Sequence, residues 1–270
     1  MKRLLLLTLL AVSLAGSAWG QAVQRFALVI GNADYDYNKE VNLVNPVNDA
    51  RLMATLLTQA GFKVTKLENA RVADMQSGIT AFVQQLKSSQ GVGFFYFAGH
   101  GAGLQGEHYL LPSDTVINKS SDIQKTGITL RSVSAQMDLA KSKLNILVID
   151  ADANDPFNLP TDSVQRTRLL IPAPLNTVIA VSANPPTNAQ DGTGKNGLYT
   201  ENLARAMVMP GAELRDIFLL TEMEVKRQSA YKQLPWSSMY IEPLPGFYFT
   251  QKPAPQADDP KVFGRSARGG

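Results

Sequence analysis

Residues 144–157 read LNILVIDADANDPF, and the two halves of this stretch demand opposite surroundings. From Leu144 to Asp150 the run is almost wholly apolar and branched, the composition of a central strand buried on both faces of a parallel sheet. From Ala151 to Pro156 the residues cannot continue a buried ladder. The chain must therefore leave the sheet at the strand's carboxyl end, which is where open α/β sheets place their chemistry. Upstream, residues 93–103 (GFFYFAGHGAG) repeat the arrangement, a second buried strand that ends in a glycine-flanked histidine, His100. The two strand ends are expected to face each other.

Working outward, the chain alternates strands and helices. Residues 25–31 (RFALVIG) read as a strand, and residues 32–42, polar apart from Tyr35 and Tyr37, as a loop leaving the sheet edge. Asn45 or Asn48 is placed to cap a helix whose apolar face carries Leu52, Met53, Leu56 and Leu57. Gly61 closes that helix, and residues 62–67 alternate as a strand near the sheet edge does. Residues 74–88 are helical in pattern, with Ile79, Phe82, Val83 and Leu86 on one stripe, and they precede the strand at 92–98. Residues 107–113 suit a hairpin outside the main sheet. Residues 130–140 read as a helix, 177–182 as a fifth buried strand, 197–209 and 213–228 as helices, and 246–250 (GFYFT) as a last edge strand. No repeat of about 20 to 50 residues is present. The pattern predicts a three-layer α/β domain with helices on both faces of the sheet.

Composition narrows the function classes. Residues 1–20 carry Lys2 and Arg3, an apolar run from Leu4 to Ala15 and Ala18-Trp19-Gly20 before Gln21, the pattern of a cleaved secretory signal. The run is shorter than the roughly 20 residues that span a bilayer, so no stable membrane insertion is expected after cleavage. Residues 21–250 are expected to form one domain, residues 251–270 a disordered tail, and the protein to be periplasmic or secreted. Without Lys2 and Arg3 the basic residues fall from 26 to 24 against 23 acids. A net charge so near zero, with no basic stripe, excludes nucleic acid as a partner. The chain contains no cysteine, which rules out disulfides and thiolate metal sites.

The chain resembles the caspase-like peptidase family, most closely the bacterial metacaspase or orthocaspase branch. The matching strings are residues 27–32 (ALVIGN), 43–50 (LVNPVNDA), 96–101 (YFAGHG), 109–112 (YLLP) and 150–157, followed by Asp191-Gly192, Asn196-Gly197, Tyr199-Thr200, Pro235-Trp236 and 246–249. Family signatures place the histidine about 50 residues before the cysteine, and His100 lies 52 positions before Asp152. The resemblance implies a caspase-hemoglobinase-like α/β/α fold with a mostly parallel central sheet of about six strands. It implies that His100 holds the catalytic histidine position, Gly101 supplies an oxyanion-hole N–H, and Asp152 stands where the family has its cysteine nucleophile. Asp49 and Asp150 correspond to acids of the pocket in branches that cleave after Arg or Lys, and Ser182 falls near the substrate-binding wall.

A carboxylate in the nucleophile's place does not substitute for a thiolate, because attack on an amide would give a mixed anhydride. The family's cysteine-type endopeptidase activity is therefore expected to be absent. Asp152 is expected to sit as a fixed anion beside His100, raising the histidine pKa. What remains is a non-catalytic peptide- or protein-binding or regulatory module, its partner a segment with an Arg or Lys for the two acids. The alternative is a hydrolase in which His100 and an Asp act as an acid/base pair on water. Asp49 also suits a purely structural place in the first turn of its helix, whereas Asp150, at the end of a buried strand, is costly unless paired. His108 reads as a surface residue, and Tyr35, Tyr37, Phe94, Phe95 and Phe97 as packing. No cofactor is expected, and no metal, although His100, Asp150 and Asp152 have the residue types for one.

Overall fold

The structure, a computed structural model, describes residues 23–36, 39–151, 171–184, 187, 189, 194–242 and 247–250. Tyr37, Asp152 and the expected leader and tail lie outside the described residues. In chain order the elements are β1 (Arg25–Gly31), α1 (Pro46–Gln59), β2 (Lys63–Glu68), α2 (Val72–Ser89), β3 (Val92–Ala98), β4 (Gly101–Leu104), β5 (Glu107–Leu110), α3 (Ser120–Thr126), β6 (Ile128–Thr129), α4 (Leu130–Leu139), β7 (Leu144–Asp150), β8 (Thr177–Val181), α5 (Leu198–Met207), α6 (Leu214–Gln228) and β9 (Trp236–Tyr240).

The main sheet has six strands in the order β2-β1-β3-β7-β8-β9. Every pair is parallel except β8 with β9. The uninterrupted apolar runs have a direct explanation in the two cores. Along β3, Phe94 and Tyr96 pack with Met53 and Leu57 of α1 and with Leu203 and Phe218 of α5 and α6. Phe95 and Phe97 point the other way and pack with Phe82 and Leu86 of α2 and Val133 and Met137 of α4. A strand covered on both faces has no polar side to display. A small antiparallel sheet, β4-β5-β6, stands beside the main one and shelters a third cluster that includes Tyr35, Ala102, Leu111 and Ile123.

Four expectations need correction. Residues 247–250 form no strand, and the edge strand is β9, antiparallel to β8. The aromatic alternation of GFYFT mimics a strand, but Phe249 packs into the core with Phe247 beside it. Phe249 lies 6.2 Å from the Phe62 ring and 5.8 Å from Phe94, with Phe247 5.1 Å from Phe249. The Arg25 guanidinium, over the rings of Phe62 and Phe247, donates to the carbonyls of Ala60 and Tyr248 and fastens this segment to β1. The helix at α1 begins with Pro46 at its first turn, and Asn45, at the N-cap position, makes no capping bond through its side chain. Asn48 lies inside the helix. The short α3 carried too little apolar periodicity to be expected.

The fourth correction is His108, which is buried at 1 % exposure on β5. Neither ring nitrogen has a hydrogen-bond partner among the described residues. Burial without a partner disfavours the charged ring and pushes its pKa down to about 4. The apolar β-rich neighbourhood of Tyr109, Leu110 and Leu111 accepts a neutral imidazole as it would any ring of that size.

Two predictions follow from these cores. Leu147, fully buried in the α2/α4 core, should lose about 2–5 kcal/mol of stability as Leu147→Ala, read by chemical denaturation, whereas Leu139→Ser, at 72 % exposed, should stay within about 0.5 kcal/mol. His108 binds a proton in the unfolded chain below its ordinary pKa of about 6.5 but resists it in the fold. Its contribution is therefore fully present above about pH 6.5 and is lost as pH falls toward about 4, a loss on the order of 3 kcal/mol. The measurement is denaturation midpoint against pH, and His108→Leu should remove this part of the slope.

Candidate functional site

The site is built where β1, β3 and β7 end together. Their pairing sets Gly31 beside Ala98 and Ala98 beside Asp150, and β1, flanked by β2 and β3, is the point at which the strand order reverses. Such a reversal opens a crevice at the carboxyl ends of the strands. Past the strand ends the main chain stays in register: Asn32 N–H donates to Ala98 O at 2.9 Å and Gly99 N–H to Asp150 O at 3.3 Å. Gly99 has φ +153°, and a Cβ there would lie 2.9 Å from the Tyr35 hydroxyl and 3.0 Å from Asn32 O, so only glycine permits the turn.

That turn delivers His100. Its N–H donates to the Tyr35 hydroxyl at 2.7 Å, and its ring packs on Tyr35 with centroids 4.8 Å apart. Its Nε2 lies 2.6 Å from Val41 O. A carbonyl can only accept, so Nε2 carries a proton in this bond. The loop that supplies Val41 is itself tied down. Asn42 Oδ1 accepts from Tyr35 N–H at 2.8 Å, and Leu43 N–H donates to Ala33 O at 2.9 Å. Beneath it the buried Asn32 side chain donates to Ala70 O and Leu111 O and accepts from Ala70 N–H. Burial holds the Tyr35 phenol well above its ordinary pKa, so it stays protonated.

The acids meet on the other wall. Asp49, buried in the first turn of α1, accepts from Gly197 N–H at 3.0 Å and from the Asn196 side-chain amide at 2.8 Å, which joins α1 to the start of α5. Asp150 accepts from the Thr200 hydroxyl at 2.6 Å. Gly197 lies against both carboxylates: a Cβ on it would be 3.1 Å from Asp49 Oδ2 and 3.4 Å from Asp150 Oδ2. His100, Asp49 and Asp150 together line a cavity of about 160 Å³, with Leu43, Pro46 and Gly99 in its wall.

Of the residues singled out in the sequence, His100, Asp49 and Asp150 therefore share one cavity. Gly101 follows His100 directly as the first residue of β4, buried opposite Leu110. Ser182 sits just past β8, fully buried, its N–H donating to Ile149 O and its carbonyl accepting from Gln233 Nε2. Ser182 is not among the described residues that line the cavity, and its hydroxyl has no partner among them. Asp152 lies outside the described residues. No group of three or more His, Asp or Glu among the described residues could hold a metal ion, and no helix among them is long and apolar enough to cross a membrane. Sequence reasoning missed Tyr35, the Val41 carbonyl, Asn196, Gly197 and Thr200 as parts of the site. The nearness of Asn196-Gly197 and Tyr199-Thr200 in the strings quoted above was the available signal.

A six-stranded, mostly parallel sheet with a histidine at the end of one strand and acids at the same edge is the architecture of a caspase-like α/β fold. The caspase-domain profile of peptidase family C14 matches residues 24–241, and the chain belongs to that family. It is similar to the human mucosa-associated lymphoid tissue lymphoma translocation protein 1, 28% identical over 130 residues. That match takes in 48% of this chain and only 15% of the human protein's length. The fold of this chain is similar to that of caspase-1 from Spodoptera frugiperda, with a TM-score of 0.61 at 17% identity over 86% of this chain and 92% of that one.

Asp49 thus has a structural task that its side-chain charge alone did not announce. Asp49→Ala should leave Gly197 N–H and Asn196 without their acceptor and destabilise the fold by about 1–3 kcal/mol. Asp49→Asn, which keeps one acceptor oxygen, should recover part of the loss, with denaturation midpoints and amide exchange at the start of α5 as the readout.

Proposed function

We propose that this chain is an exported caspase-domain pseudopeptidase: a non-catalytic module that binds or regulates through a peptide groove whose acidic cavity takes an Arg or Lys side chain. The observation that carries the proposal is the absence of cysteine from all 270 residues beside a cavity that still assembles His100, Asp49 and Asp150. Cysteine peptidases attack with a thiolate. The position that the family resemblance assigns to the nucleophile holds Asp152, whose carboxylate would form a mixed anhydride and offers no route to turnover. The Nε2–H bond to Val41 supports an imidazole held in one orientation, and the paired acids support recognition of a cation. The leader pattern of residues 1–20 supports export.

The test is cleavage of Arg- and Lys-containing peptides by the chain from Gln21 to Gly270, with binding of the same peptides followed by calorimetry. The wild type should bind without cleaving, Asp150→Asn should weaken binding about tenfold or more, and Asp152→Cys should cleave after Arg or Lys. Cleavage by the wild type that disappears in His100→Ala would replace this reading with a cysteine-free hydrolase.

A further inference from the structure

Thr200 stands apart from the other helical threonines. Thr55, Thr58, Thr80 and Thr221 each turn the hydroxyl back to the carbonyl four residues earlier, the usual resting place for a threonine in a helix. Thr200, fully buried in the first turn of α5, instead donates out of its helix to Asp150 Oδ2 at 2.6 Å. Behind it, the Tyr96 hydroxyl of β3 lies 2.5 Å from Thr200 Oγ1. A threonine hydroxyl has one proton, and here it is spent on the carboxylate. Tyr96 must therefore be the donor of the second bond, which gives the chain a single polarity, from Tyr96 through Thr200 to Asp150.

From this geometry we infer that Thr200, backed by Tyr96, is a positioning residue that determines specificity for a basic side chain, by holding Asp150 as an oriented anion at the cavity wall. The assignment rests on the reading of that cavity as a site for Arg or Lys. Two hydroxyls in series strengthen each other, and a carboxylate that accepts a short donated bond is favoured in its charged form. The donation is needed because Asp150 has negative and reluctant neighbours. Asp49 of α1 faces the same glycine, and His100 shares the cavity. The phenol protons are held on first by burial and then by negative charge, that of Asp49 and Asp150 for Tyr96 and that of Asp150 and Glu222 for Tyr199. One oxygen of Asp150 is thus anchored by a fully buried hydroxyl.

The test compares wild type, Thr200→Val, Thr200→Ser and Tyr96→Phe by titration calorimetry with Nα-acetyl-arginine amide and its uncharged citrulline counterpart. Thr200→Val keeps the shape and loses the donor. It should weaken arginine binding about 10- to 100-fold, leave citrulline binding unchanged, and move the acid limb of arginine binding to higher pH. Thr200→Ser should restore all three, and Tyr96→Phe should fall between. A wild type that binds arginine, with Thr200→Val binding it equally well along the same pH profile, overturns the role of Thr200 and leaves the acidic cavity standing. A wild type that binds arginine no better than citrulline overturns the cavity's reading and this role with it.

Discussion

The pairing of β3 with β7 is the constraint on which the cavity depends. With Ala98 held beside Asp150, the turn after β3 and the last residue of β7 must emerge next to each other. Slipping the register by one residue would turn every side chain of one strand to the opposite face, driving Tyr96 away from α5 and Asp150 away from Gly197. Both cores oppose that slip, since each strand is covered by helices on both sides. The chemistry at the edge is therefore positioned by apolar packing several residues away, and the polar groups need only complete it.

Those polar groups come from backbone and side chain alike. His100 is oriented by a carbonyl and a phenol, Asp49 by a main-chain N–H and the Asn196 amide, and Asp150 by a hydroxyl. This explains what could be read from the sequence and what could not. The strands at 25–31, 92–98 and 144–150 were legible to the residue because an apolar run bounded by glycine or acid has few alternatives. His100 was legible because an ionisable side chain between glycines at a strand end stands out, and Asp49 and Asp150 because the family resemblance marks their positions. Val41 contributes an oxygen that any residue carries, and Gly197 an N–H that any residue but proline carries, so neither announces itself. Thr200 was hidden in another way, as a small polar residue in the first turn of a helix, followed by the more conspicuous Glu201 and Asn202.

The misread segments show the same physics. An alternation of aromatic residues at 246–250 satisfies the pattern of a strand, but pattern cannot tell a ladder from a ring packed into the core, as Phe249 is against Phe62 and Phe94. Trp236-Ser237-Ser238-Met239-Tyr240 looks weak as a strand, yet an edge position asks for little burial, and Ser237 gains a bond to Glu222 of α6. His108 shows the complementary error: an imidazole counted as polar is tolerated in an apolar site as long as it stays neutral, at the expense of acid stability.

Arg25 has a further consequence for how the domain is attached to anything else. It begins β1 at the amino edge of the sheet, and its bond to the Tyr248 carbonyl brings the last described stretch to that same edge. The cavity lies at the other end of a seven-residue strand, roughly 20 Å away at the usual rise. Arg25 and Tyr248 are thus clasped together at the pole opposite the crevice, like two strands held by one knot. A tether or a neighbouring domain joined at either point would leave the crevice facing outward, open to a partner approaching from the far side.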